Sequence, residues 1–516
     1  MEFESPEGCR AFDYYRSQSA PVLGNILDSE FWGGLVMRLS VSEPVVRHAV
    51  LALSRLHEHT GTANCDNAAT IPAFVFAEYG KSIDALKKWQ DGPVIPLLAC
   101  VLFVCIEFLL DNEEATKLHI FQGRQLLCAL HNEPLHTRVM IMQDLVPMYT
   151  RLGLAAFLYG VQPARVPESL QHPLSPPAKY EGISQARSYL YHILDDALRF
   201  STSAKTKLYG AAVNLEEMQK LQDKQQQILS YLEQWHASFV VLISTLKLSQ
   251  ATISVQCLLH IYYNAAVIWT STALSTHEIA YDEHISSFAA VISNAASIIN
   301  GTHRGSRLHA FSFETELVAP IYWTVIKCRH PALRRAALRL LMRDELRGRR
   351  ENLWHSQEAI TIALRAIQLE EQKMSGTCLD ITADATNGSG HCATMNVSVS
   401  FKSNLSVPTF RPPTTTLGDL LDADDMSGSP ESCEARWSFF DGPSYSVIPT
   451  VADDTCSDFG DAVNTSSPYG IADAQRIRNI LIGPREIGGV WVTIFKEPIV
   501  GDKQWDVTKE LLSFES

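Results

Sequence analysis

From Ala11 to about Gln372 the apolar residues recur at the three- and four-residue intervals of an α-helix, with no succession of short alternating segments among them. Apolar stripes at that spacing must be covered by other elements, so this length of chain is committed to helix packing on helix. The fold expected is all-α, a large multi-helix bundle or an array of stacked helix pairs. No fixed-period repeat is present to make it a solenoid.

The segments can be read in turn. Ser42 and Pro44 open a helix on which Val45, Val46, Ala49, Val50, Leu53 and Leu56 share a face. Helices are expected over Phe74 to Trp89, Leu97 to Leu110 and Ala115 to Leu130, the second of them apolar almost all round and therefore central. Its roughly 14 apolar residues fall short of the ~20 a membrane span needs, and Glu107 interrupts them. Asp144 to Tyr159 continues the pattern, and five prolines between Pro163 and Pro177 then force a loop. Ser184 to Phe200, Asn214 to Ser238, Val240 to Leu274, Glu283 to Asn300, Leu317 to Lys327, Pro331 to Glu345 and Ser356 to Lys373 complete the helical series. Asn214 and Glu217 stand at the spacing of a capping box.

After about Ser375 the texture becomes Gly, Ser, Thr, Asn, Pro and Asp. The division that follows is a helical domain over residues 9–375, a disordered acidic Ser/Thr-rich linker or tail over 376–475, and a C-terminal segment of uncertain fold over 476–516. Within the tail, Leu420, Leu421, Met426, Trp437, Phe439, Phe440 and Tyr445 alternate with acids such as Asp422, Asp424, Asp425 and Asp441, a composition that keeps aromatics hydrated and available. Gly489 to Phe495 reads as a short strand, in a segment that either packs on the body or is foreign to it.

Charge divides the same way. Of the net −14, Gly376 to Ser516 carries twenty acids against nine Lys and Arg, so the body is nearly neutral. Neither part has the overall basic balance of a nucleic-acid binder, and direct DNA binding is not expected from this chain. Eleven scattered cysteines do not make a disulfide framework. Reduced, mostly buried thiols are expected, and the acidic Met1 to Glu7 stretch offers no secretory signal, so an intracellular compartment is expected.

No motif places chemistry. Phosphate-binding glycine loops and the G-x-S-x-G elbow are absent from the sequence. His57 and His59, two apart, point to different faces of a helix, and Cys100 and Cys105 belong to an apolar helix as core thiols. The acid pairs Glu113-Glu114, Asp195-Asp196, Glu216-Glu217 and Asp424-Asp425 read as solvated helix faces or tail, because none stands beside a second polar motif. One basic region runs from Arg329 to Arg350. Its members Arg334, Arg335, Arg339, Arg343, Arg347 and Arg349 are expected to fan over a solvated face, pairing with Asp344 and Glu345; a partner-binding surface and a nuclear-import or nucleic-acid contact are the alternatives. No catalytic, cofactor-binding or metal-ligating residue is assigned, and no cofactor is expected.

Several phrases together resemble a family. Ala11-Phe12-Asp13-Tyr14-Tyr15-Arg16, Phe31-Trp32, the run from Ser42 to Glu58, Tyr79-Gly80-Lys81-Ser82-Ile83, Leu97 to Phe103 and His119 to Leu127 are similar to the opening helices of the fungal-specific regulatory domain that follows Zn2Cys6 clusters. Pro320-Ile321-Tyr322-Trp323, Lys327 to Arg335, Leu340-Leu341 and Asn352-Leu353-Trp354 resemble its later part, and the likeness covers about residues 9 to 372. What it implies is a nuclear regulator of transcription, often of a metabolic gene set, that is not an enzyme. It also implies that the Arg329 region is scaffold. The family's six-cysteine cluster does not precede Ala11, so zinc and sequence-specific DNA contact are not carried over. The partners implied are the transcription machinery or a DNA-binding factor, with a homodimer as a further candidate and no membrane. Two rival readings remain: a Zn2Cys6 factor whose cluster lies upstream of this sequence, and an enzyme of fungal secondary metabolism that uses the helical core as a substrate cavity.

Overall fold

The computed structural model describes residues 5–24, 27–62, 71–130, 133–158, 162–171, 175–210, 213–246, 249–301, 311–371, 468–486, 488–498 and 505–514. The first group of helices is α1 (Pro6–Tyr14), α2 (Ala20–Gly24), α3 (Met37–Ser42), α4 (Pro44–Thr62), α5 (Ala73–Lys87), α6 (Val94–Leu110) and α7 (Glu113–Cys128). Next come α8 (Leu135–Met140) and α9 (Val146–Leu158), and then the long α10 (Ile183–Gly210), α11 (Leu215–Thr245) and α12 (Gln250–Thr272). The series ends with α13 (Ile285–Gly301), α14 (Val318–Lys327), α15 (Pro331–Leu341) and α16 (Ser356–Glu371). Single π-turns at Tyr15–Ser19, Glu30–Val36 and Ile141–Leu145 shift the register where short helices join.

Fourteen of the seventeen residues of α6 are buried, as its all-round apolarity requires, between α4 and α7. It ends on Asp111, which adopts the left-handed conformation that closes a helix C-terminus. Asn214 caps α11, its side chain accepting from the Glu217 amide at 2.8 Å. Ser42, in contrast, closes α3 and caps nothing; α4 starts directly on Pro44. The apolar run Val240 to Leu274 is also two helices, because α11 extends to Thr245 and Ser249 caps a new start by accepting from Thr252 N. Continuous apolarity hid that boundary. By length and composition α12 could cross a membrane, but it packs against α10, α11 and α13, and its Tyr262 hydroxyl donates to Thr315 O at 2.7 Å.

The chain is mostly helical but not all-α. Two short pairings join β1 (Phe311–Ser312), β2 (Arg350–Glu351) and β3 (Trp354–His355). A larger antiparallel sheet follows near the C-terminus, β4 (Asn479–Glu486), β5 (Gly489–Pro498) and β6 (Trp505–Ser513), in the order β4-β5-β6. Only β5 is legible as a strand in the sequence. Gly483-Pro484 interrupts β4, and β6 is a largely exposed strand with little alternation to detect.

This sheet belongs to the body. Ile480, Ile482, Val490, Val492, Ile494 and Leu512 point inward and join the same continuous apolar core as Trp32, Leu102, Trp269 and Trp323. The last residues of the stretch read as linker are ordered too, with Ile471 and Asp473 buried. The acidic-aromatic segment from Leu420 to Tyr445 lies outside the described residues.

Candidate functional site

Among the described residues, two buried charged constellations bear on the sequence candidates. The first replaces the solvated basic face expected from Arg329 to Arg350. Arg343 does pair with Glu345 at 2.6 Å, and Arg339 and Arg347 face solvent, but Arg329, Arg334 and Arg349 are buried. Lys327 donates to both Glu278 oxygens, at 2.9 and 3.1 Å, and to the Arg478 carbonyl at 2.8 Å. Arg329 bridges Glu278 and Glu370, each at 2.9 Å, and donates to the Ile477 carbonyl at 3.1 Å. Arg334 completes the Glu370 pair at 2.7 Å, and the Ile477 amide donates to Glu370 at 2.6 Å. Burial alone would raise the Glu370 carboxyl; Arg329 and Arg334 override it and hold it at about 2. From the other side Arg476 grips Asp282 at 2.6 Å, while Arg478 braces the segment internally by pairing with Asp473 at 2.9 Å. The arginines therefore fasten residues 471–482 to α14, α15 and α16. Short-range periodicity cannot reveal this, because the acids that pull the arginines inward come from distant parts of the chain.

The second constellation lines a cavity of about 40 Å³ between the α2 region, α10, α12 and the segment before α14. Its apolar wall is Val22, Leu23, Leu27, Val255, Leu258 and Leu259, and its polar wall is Asp28, Arg187, Ser312, Glu314 and Glu316. Two voids of about 10 Å³ flank it along Arg151, Arg187 and Tyr191. Asp28 accepts from Arg187 at 2.5 Å and Arg151 at 3.1 Å, and Arg151 also reaches Glu314 at 2.6 Å. Burial would raise the Asp28 carboxyl, but the two guanidinium groups hold it below its ordinary value.

Glu316 is paired with Arg349 and accepts from the Ser312 hydroxyl at 2.8 Å. Its carboxyl is nevertheless raised, first by burial and then by the neighbouring Glu351. Glu351 itself pairs with Arg349 at 2.9 Å and accepts from the amides of Glu316, Leu317 and Val318, closing the N-terminus of α14. At Asn352 the backbone is left-handed, and the side chain secures it by donating to Thr315 and accepting from Leu353 N. This is the physical role of the Asn352-Leu353-Trp354 phrase: it holds the carboxylate turn against the cavity.

The remaining sequence candidates are dispersed. His57 contacts Ser19 Oγ at 3.0 Å and the Tyr14 ring, while His59 lies elsewhere on α4. Asp195 and Asp196, expected on a solvated face, are buried: Asp195 pairs with Arg199 at 2.8 Å and Asp196 with Arg165 at 2.6 Å. Glu113 is buried beside Lys117 at 2.8 Å, and Glu114 is exposed. Glu216 is exposed, as expected, and Asp424-Asp425 lie outside the described residues. Cys100 and Cys105 are buried free thiols, both pushed up by burial. One polar cluster went unread: Tyr79 donates to Glu107 at 2.8 Å and contacts His119 at 3.2 Å, all three buried. Burial lowers the His119 imidazole to about 4, so it is neutral at pH 7, and raises the Glu107 carboxyl above its ordinary value. Among the described residues no three His, Cys, Asp or Glu side chains are placed to hold a metal ion.

No protein-family model matches the chain, and neither the curated proteins nor the solved structures include a match to it.

Proposed function

We propose that this protein is a nuclear regulator of transcription that acts through its helical body and protein partners, without chemistry of its own. The observation that carries the reading is where the resembling phrases fall. Ser42 to Glu58, Tyr79 to Ile83, Leu97 to Phe103 and His119 to Leu127 lie on or lead into α4, α5, α6 and α7, of which α5 and α6 both pack on α4 and α7 packs on α6. Pro320 to Trp323, Lys327 to Arg335, Leu340-Leu341 and Asn352 to Trp354 build the second unit, around α14, α15 and α16. Residues of these phrases that look chemically reactive in isolation, such as Lys327 and Arg329, are consumed by internal ion pairs.

The rival reading, an enzyme of secondary metabolism, is favoured by one feature, the carboxylates that converge on the cavity. Asp28, Glu314 and Glu316 are each held by an arginine, which suits binding better than proton transfer. The test is a fusion of the chain to a heterologous DNA-binding domain. Reporter output should change, and any activation should require residues 417–462. Unchanged output with and without that stretch would end the proposal.

A further inference from the structure

α11 and α12 pack on each other, and each carries a histidine at the edge of their contact. On α11 the buried stripe is Trp235, Phe239 and Leu242, with the half-buried His236 beside it. On α12 it is Leu259 and Tyr262, with His260 and Tyr263 beside it. Residues flanking two packed apolar stripes face one another across the groove, so His236 and His260 meet. Their ring centres are 5.4 Å apart, with the planes at 75°. Tyr263 stacks on His236 at 4.6 Å, and Phe239 lies 5.4 Å from His260. These contacts position both imidazoles and leave each partly exposed to solvent.

That separation is the one two imidazoles take up on a shared ion. With a metal–nitrogen bond of about 2.0–2.1 Å and the ring centre about 1.2 Å beyond it, rings at a tetrahedral angle have centres roughly 5.2 Å apart. The protonation state agrees. Burial lowers both imidazoles, and for His260, brought to about 4, the nearby His236 adds to the effect. At pH 7 both rings are therefore neutral, and a neutral imidazole keeps one nitrogen lone pair. Among the described residues neither ring has a hydrogen-bond or ion-pair partner to occupy that lone pair. Packing against Tyr263 and Phe239 would be served as well by a carbocyclic ring. Burial and the charge of Glu233, one turn before His236, raise the Tyr263 hydroxyl, so a carboxylate stands near enough to offset a cation.

We infer that His236 and His260 form a two-histidine site for a divalent transition-metal ion of the zinc and nickel class, with water completing the coordination. Imidazole suits these ions, whereas Mg2+ takes oxygen ligands. No third His, Cys, Asp or Glu is placed to join the pair among the described residues, so the ion is exchangeable and not a permanent part of the fold. The inference is independent of the role in transcription, because binding is read on the purified chain and a failed reporter assay leaves it standing.

The experiment is thermal unfolding of the full chain, reduced and stripped of metal, titrated with Ni2+, Zn2+ and Mg2+. The two imidazoles come together only in the folded chain, so an ion held by both raises the melting temperature saturably, whereas ions on scattered thiols bind folded and unfolded chain alike. Ni2+ and Zn2+ should each produce the shift and Mg2+ should not. His236→Gln and His260→Gln should each weaken Ni2+ binding at least tenfold, while His136→Gln, at an exposed position on α8, should leave it unchanged. A second measurement does not depend on how the variants fold: in the wild-type chain Zn2+ should protect both His236 and His260 from carbethoxylation by diethyl pyrocarbonate, read by peptide mass. Absence of a saturable Ni2+ shift, an equal shift with Mg2+, undiminished binding in either variant, an equal loss in His136→Gln, or an unprotected ring at either position would overturn the assignment.

Discussion

Glu370 on α16 is a direct test of whether buried ion pairs hold the C-terminal segment on the helical body. Its carboxylate, fully enclosed, receives Arg329, Arg334 and the Ile477 amide. The carboxyl stands at about 2 where 4.5 is ordinary, which at about 1.4 kcal/mol per pH unit amounts to roughly 3 kcal/mol of stability. Because the folded-state value is depressed, that stability is fully present above the unfolded value of 4.5 and is lost as pH falls toward 2. Removing one member of a buried pair costs about 3–5 kcal/mol by independent reckoning, so the two figures agree. Glu370→Gln keeps the size and removes the charge. In urea unfolding at pH 7 the variant should be less stable by about 3 kcal/mol, and between pH 4.5 and 2 the two proteins should converge as the wild-type group takes up its proton. A deficit below about 1 kcal/mol at pH 7, or one that persists unchanged at the acid end, would refute the claim that this charge fastens residues 471–482.

Two other outcomes follow from the packing. A Cβ added at Gly123 would stand 2.3 Å from the ring of Tyr149, which is fully buried and anchored by its hydroxyl to Leu97 O at 2.7 Å, so Gly123→Ala should cost about 1–3 kcal/mol; an unchanged urea midpoint would contradict this. The two ends of the stretch 372–467 are held at one place, Glu371 on Arg335 and Tyr469 against His330, both at the start of α15. Replacing the stretch by about ten Gly and Ser residues, which span some 17 Å, should therefore leave the melting temperature within a few degrees of the original. A chain ending at residue 371 should instead lose its cooperative transition, and equal behaviour of the two would show that the sheet does not contribute.

How much of this could be read beforehand follows from which interactions are local. The helical body, the cap at Asn214, the buried character of α6 and the core thiols Cys100 and Cys105 all follow from spacing along a few turns, and the sequence carries that information directly. Acidic and basic residues were harder. Arg329, Arg334 and Asp196 look solvated because charge in water is the default, and nothing nearby announces a partner that lies elsewhere in the chain. The α11–α12 boundary was lost because one apolar run continues across it.

Periodicity thus determined that the first three-quarters of the chain would be helices with apolar stripes to bury, since a stripe is a property of neighbours. Only tertiary packing decided that residues 471–514 complete the body as a sheet, that the basic run faces inward, and that four acids meet three arginines around a cavity. Those outcomes depend on which charges become one another's nearest counter-ions once water is excluded, and that pairing exists only in the folded chain.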